Sequence, residues 1–446
     1  MVSLGASRYP SRFDPARLDE VDPGIRANIE RRLDVLGPGY LLIYNDPVAF
    51  VRGEKAHLFD ADGADYLDAY NNVPSVGHCH PHVVEAVNRQ VATLNTNTRY
   101  AQEGLVDYAE RLVSYFPEEL RRVTFACSGS EANDLALRVA AHHTGNEGVI
   151  VNRWAYHGIT RAVAAISPAL GDGSPLGPHV REIDPPDPKL VPAGLSLADH
   201  MRAETRRAID DLARHGFGVS ALVLDLSFMS DGIFPEAGDY LQGMVDEVHA
   251  VGGLFLADEV QAGFGRLGTC MWGFAMQQVV PDIVTMGKPM GNGIPLSAVV
   301  FRPEVARDFG EKVRYFNTFG GSSVPIAAGA AVLDVFESEG VPARVERIGE
   351  LLRTGIRELL ADSPHVAEVR GAGLVVGVEI VEDREKRTPD RARTTRVIDG
   401  MRDRRILISG AGREVNVLKI RPPLAFDEHD VERFLDGLRE VAALHL

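Results

Sequence analysis

In GDYLQGMVDEVHAVGGLFLADEVQ, residues 238–261, a helical stretch runs into the apolar strand GLFLADE. The same succession recurs along the chain. Apolar runs of strand length lie at Val123–Ala126, Val149–Val151, Ala221–Leu226, Gly253–Ala257, Ile283–Thr285 and Ala298–Phe301, and helical stretches separate most of them. Strands buried on both faces and alternating with helices predict an α/β domain around a mostly parallel sheet. Asp258 and Glu259 stand at the carboxyl end of their strand, where sheets of this kind place ligands.

On the amino-terminal side, about 45 residues read as a helical arm, with IRANIERRLDVLGPGY ending at Gly37-Pro38-Gly39. VAFVRGEKAHLFDADGADYLDAY then alternates apolar and polar residues around Asp62-Gly63, a hairpin signal. The Pro- and Gly-rich PALGDGSPLGPHVREIDPPDPKLVPAGLS reads as a long surface excursion, because strand–helix alternation resumes after it. Beyond about residue 326 come two long helical stretches. HVAEVRGAGLVVGVEIVED and the run Arg405–Phe426 follow as strands of a smaller α+β domain. The expected division is a large domain at 62–325, with 1–61 and 326–446 forming an arm and a small carboxyl-terminal domain.

The chain has 446 residues, with 47 Lys+Arg against 63 Asp+Glu and a formal net charge of −16. An acidic surface argues against nucleic acid or an anionic membrane as partner. No stretch approaches the roughly 20 apolar residues of a membrane span, and the start lacks a secretory h-region. Three cysteines, odd in number and far apart, argue against a disulfide framework. These features predict a cytoplasmic protein. Only six basic residues are lysines and 41 are arginines, so lysine-specific chemistry has few candidates.

Three motifs carry chemistry. In VTFACSGSEANDLALRVAAHH a strand passes through Ser128-Gly129-Ser130 directly into a helix. Small residues at a helix N-terminus suit an anion such as phosphate, although a plain strand–helix turn with a Ser cap has the same pattern. A strand ending in Asp258-Glu259 is found in nucleotide hydrolases too, but those require GxxxxGK[ST], which the chain lacks. In PDIVTMGKPMGNGIPLSAVV, Lys288 follows a short apolar strand among Gly287, Gly291 and Gly293. An exposed loop lysine would be the bland reading. Desolvation and nearby positive charge would instead make it a Schiff-base nucleophile.

The order SGSEAN, Trp154-Ala155-Tyr156-His157-Gly158, Asp258-Glu259-Val260-Gln261, Gly287-Lys288, Asn317-Thr318-Phe319-Gly320-Gly321 resembles the class III aminotransferases over nearly the whole chain. These are fold type I pyridoxal-phosphate (PLP) enzymes. The segments NNVPSVGHCHPHVVEAV, LNTNTRY, VTMGKPMGNG, YFNTFGGS and VLKIRPPLAF are most similar to the ethanolamine-phosphate and phosphohydroxylysine phospho-lyases of that family. The resemblance implies a large domain with helices on both faces of its sheet and a smaller α+β domain. It implies that Lys288 holds the cofactor and shuttles protons, and that Asp258 keeps the ring nitrogen protonated so the ring is an electron sink. Gln261 would bond the ring's phenolic oxygen, Tyr156 would stack on the ring, and Gly129 and Ser130 would hold the cofactor phosphate. Thr318 would reach that phosphate from the other subunit of a homodimer.

Two departures from the family pattern bear on substrate. Members usually carry Arg for a substrate carboxylate in a run R-x-x-P-P, where this chain has Lys419-Ile420-Arg421-Pro422-Pro423. They also often carry Glu-Pro where this chain has Asp225. Arg and Lys are not equivalent as carboxylate clamps, so both changes point away from an ordinary amino-acid transaminase. Arg99 and Lys419 are the candidates for a substrate phosphate. His78, Cys79, His80 and His82 in GHCHPH lack a second cluster to complete a zinc site, so no metal is expected. Gly371, Gly373 and Gly377 have the wrong spacing for a dinucleotide fingerprint and read as a strand turn.

The leading expectation is a PLP-dependent phospho-lyase acting on O-phosphoethanolamine or a related phosphorylated amine. It would give acetaldehyde, ammonia and phosphate. The alternative is an ω-amino-acid:keto-acid transaminase. A PLP-binding sensor without catalysis ranks last, since no attached DNA-binding module is visible.

Overall fold

The computed structural model describes residues 11–236 and 238–446. Residues 1–10, within the expected arm, lie outside them. The central sheet has seven strands in the spatial order Arg122–Ala126, Ser297–Phe301, Ile283–Met286, Leu254–Asp258, Val219–Asp225, Gly148–Asn152, Val180–Ile183. Ser297–Phe301 is antiparallel to both neighbours, and the pairs from Ile283–Met286 to Val180–Ile183 are all parallel. The six expected strands are present. The seventh, Val180–Ile183, lies inside the Pro- and Gly-rich excursion. It is a four-residue edge strand with only Val180 and Ile183 buried, too short to stand out among the surrounding prolines.

The five inner strands are buried at every residue, because both faces of the sheet are covered. Alternation along each strand sorts the side chains into two layers. Ala221, Val223, Leu254, Leu256 and Val299 pack with helix Gly129–Thr144 through Ala132, Leu135, Ala136 and Val139. Leu222, Leu224, Phe255, Ala257 and Val300 belong to the opposite layer, with Leu212 of helix Leu197–Arg214 and Met244 of helix Tyr240–Ala250. Each fully buried aliphatic side chain contributes about 1.5–3 kcal/mol.

That second layer continues into the carboxyl-terminal part. A four-stranded antiparallel sheet there has the order Val366–Ala372, Val375–Ile380, Val417–Ile420, Ser409–Ala411. Gly373 turns the first hairpin at φ +48°, and a Cβ on it would lie 2.5 Å from the Arg266 carbonyl oxygen. The expected hairpin around Asp62-Gly63 is a three-stranded meander, Phe50–Glu54, His57–Asp60 and Asp65–Asp68. Its first reversal is at Lys55, which adopts φ +51° without any Gly or Asn to signal it. Ile406–Leu407 joins this meander parallel to Asp65–Asp68. The division at residue 62 falls in the turn between two of these paired strands, and that at 325 in the first turn of helix Ser323–Ser338. Among the described residues no helix is long and apolar enough to cross a membrane.

A buried ion cluster fastens the excursion to the small sheet. Glu379, 3% exposed, accepts from Lys189 of the excursion, from Arg370 at 3.0 Å and from Arg387 at 2.8 Å. Burial alone would raise the pKa of Glu379, yet Lys189, Arg370 and Arg387 together hold it below the usual value. Removing one partner of such a cluster leaves buried charge unpaired. Glu379→Ala is therefore expected to cost about 3 kcal/mol, read as a lower midpoint of urea unfolding.

Candidate active site

The carboxyl ends of the parallel strands deliver four functional groups to one cavity. Asp225 and Asp258 end neighbouring strands and lie opposite each other in register. Lys288 follows strand Ile283–Met286, and Ser128-Gly129 follow strand Arg122–Ala126. The cavity, about 390 Å³, is lined by Ser128, Gly129, Ser130, Tyr156, Asp258, Gln261 and Lys288 among others. A second cavity of about 270 Å³ shares Tyr156, Gln261 and Lys288 with it and adds Tyr70, Lys419 and Arg421.

Asp258 is buried, 4% exposed. Its carboxylate accepts from His157 Nδ1 at 2.7 Å, Asn133 Nδ2 at 2.9 Å and the Val260 amide at 3.1 Å. Asn133 is fixed in turn by the Thr285 hydroxyl, which donates to its Oδ1 at 2.6 Å. A buried carboxylate needs such donors, since leaving it unsatisfied would cost more than any one bond returns. Glu259, next along the chain, turns the other way. It accepts the Gly273 and Phe274 amides at 2.8 Å each, and burial pushes its pKa up to about 8.

At the other end of the cavity is the start of helix Gly129–Thr144. Ser128 caps it, its hydroxyl accepting from the Glu131 amide at 3.2 Å. The remaining first-turn amides and the helix dipole favour an anion here. Ser130 Oγ accepts from the Ile159 amide at 3.1 Å, which leaves its proton to donate. Gly158 adopts φ +140°, and a Cβ there would come within 2.3 Å of Ser130 Oγ. That glycine keeps this part of the cavity open.

Lys288 lines the same cavity and adopts φ +26°, a left-handed conformation that costs energy for a residue with a side chain. Its amine makes no hydrogen bond or ion pair among the described residues. Burial and the Arg421 guanidinium lower its pKa, against the pull of Asp258 and Asp225. A lysine whose pKa is lowered by burial and a neighbouring cation is more nucleophilic than one in water. Gln261 lends its carbonyl oxygen to Arg421, so its amide NH₂ is left to donate into the cavity. The residues present fit pyridoxal phosphate: an uncommitted amine would suit its aldehyde, helix amides its phosphate and a buried, hydrogen-bonded carboxylate its ring nitrogen.

Two expected site residues lie outside both cavities, one of them, Thr318, expected to act from the other subunit. Arg99 is exposed, with its guanidinium 3.9 Å from the centre of the Phe316 ring. Thr318 is exposed beside Phe319, itself 69% exposed. Neither lines the two cavities. Lys419 does line the second, where burial first, then Arg421 and Lys288, push its pKa down to about 7. The histidines of GHCHPH go to separate carboxylates: His78 to Asp68, His80 to Glu339 and His82 to Asp334. The contact of Asn133 with Asp258 and the pairing of Arg421 with Gln261 had no signal in the sequence, because the partners are more than 100 residues apart.

Residues 44–442 match the family Aminotransferase class-III. The chain belongs to the class III aminotransferases. It is 41% identical over 432 residues to an alanine–glyoxylate aminotransferase 2-like protein of Drosophila melanogaster, covering 92% of this chain and 86% of that one. It is 36% identical to ethanolamine-phosphate phospho-lyase homolog 1 of Caenorhabditis elegans, covering 93% of each. A phospholyase from Arthrobacter in complex with phosphoethanolamine superposes with a TM-score of 0.89 at 42% identity, covering 93% of this chain and 99% of that one. The fold is therefore PLP fold type I, as expected, and the protein is a pyridoxal-phosphate enzyme. Borohydride reduction of this class III enzyme is expected to fix the pyridoxyl group on the peptide containing Lys288, read by mass spectrometry. A label on any of the other five lysines would displace that assignment.

Proposed function

We propose that this enzyme is a phospho-lyase that eliminates phosphate from O-phosphoethanolamine or a related phosphorylated amine, giving acetaldehyde, ammonia and phosphate. The observation that carries this reading is the cationic second cavity. Lys419 and Arg421 flank Lys288 there, and Lys stands where the family's carboxylate-binding Arg is usual. The likeness to a phospholyase that binds phosphoethanolamine supports the same substrate class.

Bound pyridoxal phosphate would supply an electron sink for the carbon bearing the substrate nitrogen. Lys288 would link the cofactor, then take the proton from that carbon. Asp258, braced by His157 and Asn133, would keep the ring nitrogen protonated. Tyr156 would cover one ring face, Gln261 would bond the phenolic oxygen, and Gly129 and Ser130 would hold the cofactor phosphate. The bond between the neighbouring carbon and the phosphate oxygen then breaks. Water completes the conversion to aldehyde and ammonia. A transaminase would leave that carbon–oxygen bond intact.

Arg99 and Thr318 fit this scheme as contributions from a second subunit. Both are exposed, Arg99 resting on Phe316 and Thr318 following Asn317. Asn317 donates to Glu131 at 3.0 Å, which ties this segment to the first turn of the phosphate-end helix. A homodimer would bring Arg99 to the partner's substrate phosphate and Thr318 to the partner's cofactor phosphate.

Steady-state phosphate release from O-phosphoethanolamine tests the reaction. Prompt release with stoichiometric acetaldehyde is expected. Alanine formation from pyruvate without phosphate release would make the enzyme a transaminase, and neither product would leave only a PLP-binding sensor.

Mixed dimers test the sharing of sites. Lys288→Ala and Arg99→Ala are each expected to be nearly inactive. If Arg99 acts across the interface, random exchange of the two should restore about a quarter of parent activity, since half the dimers would hold one intact site. Arg99 acting within its own subunit would restore none.

A further inference from the structure

Phosphate leaves a carbon poorly unless its departing oxygen is protonated. A phosphate monoester at neutral pH is mostly a dianion, its second pKa being about 6. Expelled without a proton, it would leave as a trianion. A guanidinium can neutralise that charge but cannot give up its proton, because its pKa exceeds about 12. An ammonium can do both.

We infer that Lys419 is the acid that protonates the departing phosphate oxygen, from the cavity it shares with Lys288 and Arg421. The inference rests on the phospho-lyase reading above. Lys419 lies on strand Val417–Ile420, flanked in register by Gly377 on one side and Ser409 on the other. Neither flanking residue carries a titratable side chain. Its amine makes no hydrogen bond or ion pair among the described residues, so it is uncommitted to the protein. The titratable and charged groups around it are Lys288, Arg421, Tyr70, Tyr156 and Arg413 in the cavity wall, with Asp225 beyond. Arg421 and Lys288 oppose its positive charge and Asp225 favours it. With burial, the balance leaves its pKa at about 7, where an acid is both protonated and willing to donate.

The step balances. Lys288 takes the carbon-bound proton, and that electron pair becomes the new carbon–carbon double bond. The carbon–oxygen bond breaks and its pair stays on oxygen. The N–H proton of Lys419 goes to that oxygen, so phosphate leaves as the hydrogen-phosphate dianion. Lys419 is left neutral and regains a proton from water. Arg421 cannot substitute, and its guanidinium is already engaged with Gln261 and the Tyr70 carbonyl.

The test compares phosphate with sulfate as leaving group. Sulfate departs from ethanolamine O-sulfate as a stable dianion and needs no proton. Lys419→Arg keeps the positive charge and removes the acid. The expected result is a loss of phosphate release of about 100-fold or more, with sulfate release changed less than about 10-fold. A Lys419→Arg enzyme that releases phosphate at the parent rate, or loses both reactions equally while retaining its bound cofactor, would overturn the assignment. A parent enzyme that releases no phosphate would overturn the phospho-lyase reading itself.

Binding gives a readout independent of turnover. Inorganic sulfate has constant charge between about pH 6 and 8, so the pH dependence of its affinity for the holoenzyme reports the protein. Calorimetry should show affinity falling about tenfold across that range as Lys419 loses its proton, and a flat response in Lys419→Arg. Identical profiles for the two proteins would show that Lys419 does not titrate there, and the proposal would fail.

Discussion

Parallel alignment of neighbouring strands is the constraint on which the rest depends. Strands that run the same way end on the same rim, so whatever follows each of them converges. Asp225 and Asp258 meet there because the two strands pair residue for residue. Lys288 arrives from the next strand and helix Gly129–Thr144 from Arg122–Ala126, across the antiparallel strand Ser297–Phe301. Ser297 closes that gap, its hydroxyl donating to the Ser128 carbonyl at 2.8 Å. A one-residue slip in any of these ladders would turn Asp258 or its neighbours toward the other layer.

Electrostatics in the rim follow from crowding. Three cations, Lys288, Lys419 and Arg421, share one desolvated wall, and burial lowers the pKa of each. Opposite them, burial and Asp258 raise the pKa of Asp225, whose carboxylate is steadied by the Ser227 hydroxyl at 2.6 Å and amide at 3.0 Å. A site with this surplus of positive charge suits a substrate that brings negative charge with it. It also keeps lysines reactive that would be inert ammonium groups in water.

Most of the fold was legible in the chain. Apolar runs alternating with helices marked six of the seven central strands, and the turn at Gly373 was read from its glycines. The edge strand Val180–Ile183 was hidden by its proline-rich surroundings. The reversal at Lys55 was hidden because a non-glycine residue takes the left-handed conformation there. The residues proposed to hold the cofactor converge for a related reason. Gly129, Ser130, Tyr156, Asp258, Gln261 and Lys288 stand in short local motifs at strand ends, and all of them line one cavity.

By itself, then, the sequence determined the strand–helix alternation and the chemical types gathered at the strand ends. Periodicity and local motifs act over a few residues, and a linear reading can see that far. Tertiary structure alone decided which groups touch. Asn133 and His157 hold Asp258 from 125 and 101 positions away, and Arg421 reaches Gln261 across 160. It also separated the two phosphate candidates, sending Lys419 into the cavity wall and Arg99 onto an outer face beside Phe316. Strand register and domain packing set those positions, and both arise from contacts between segments that no local pattern encodes.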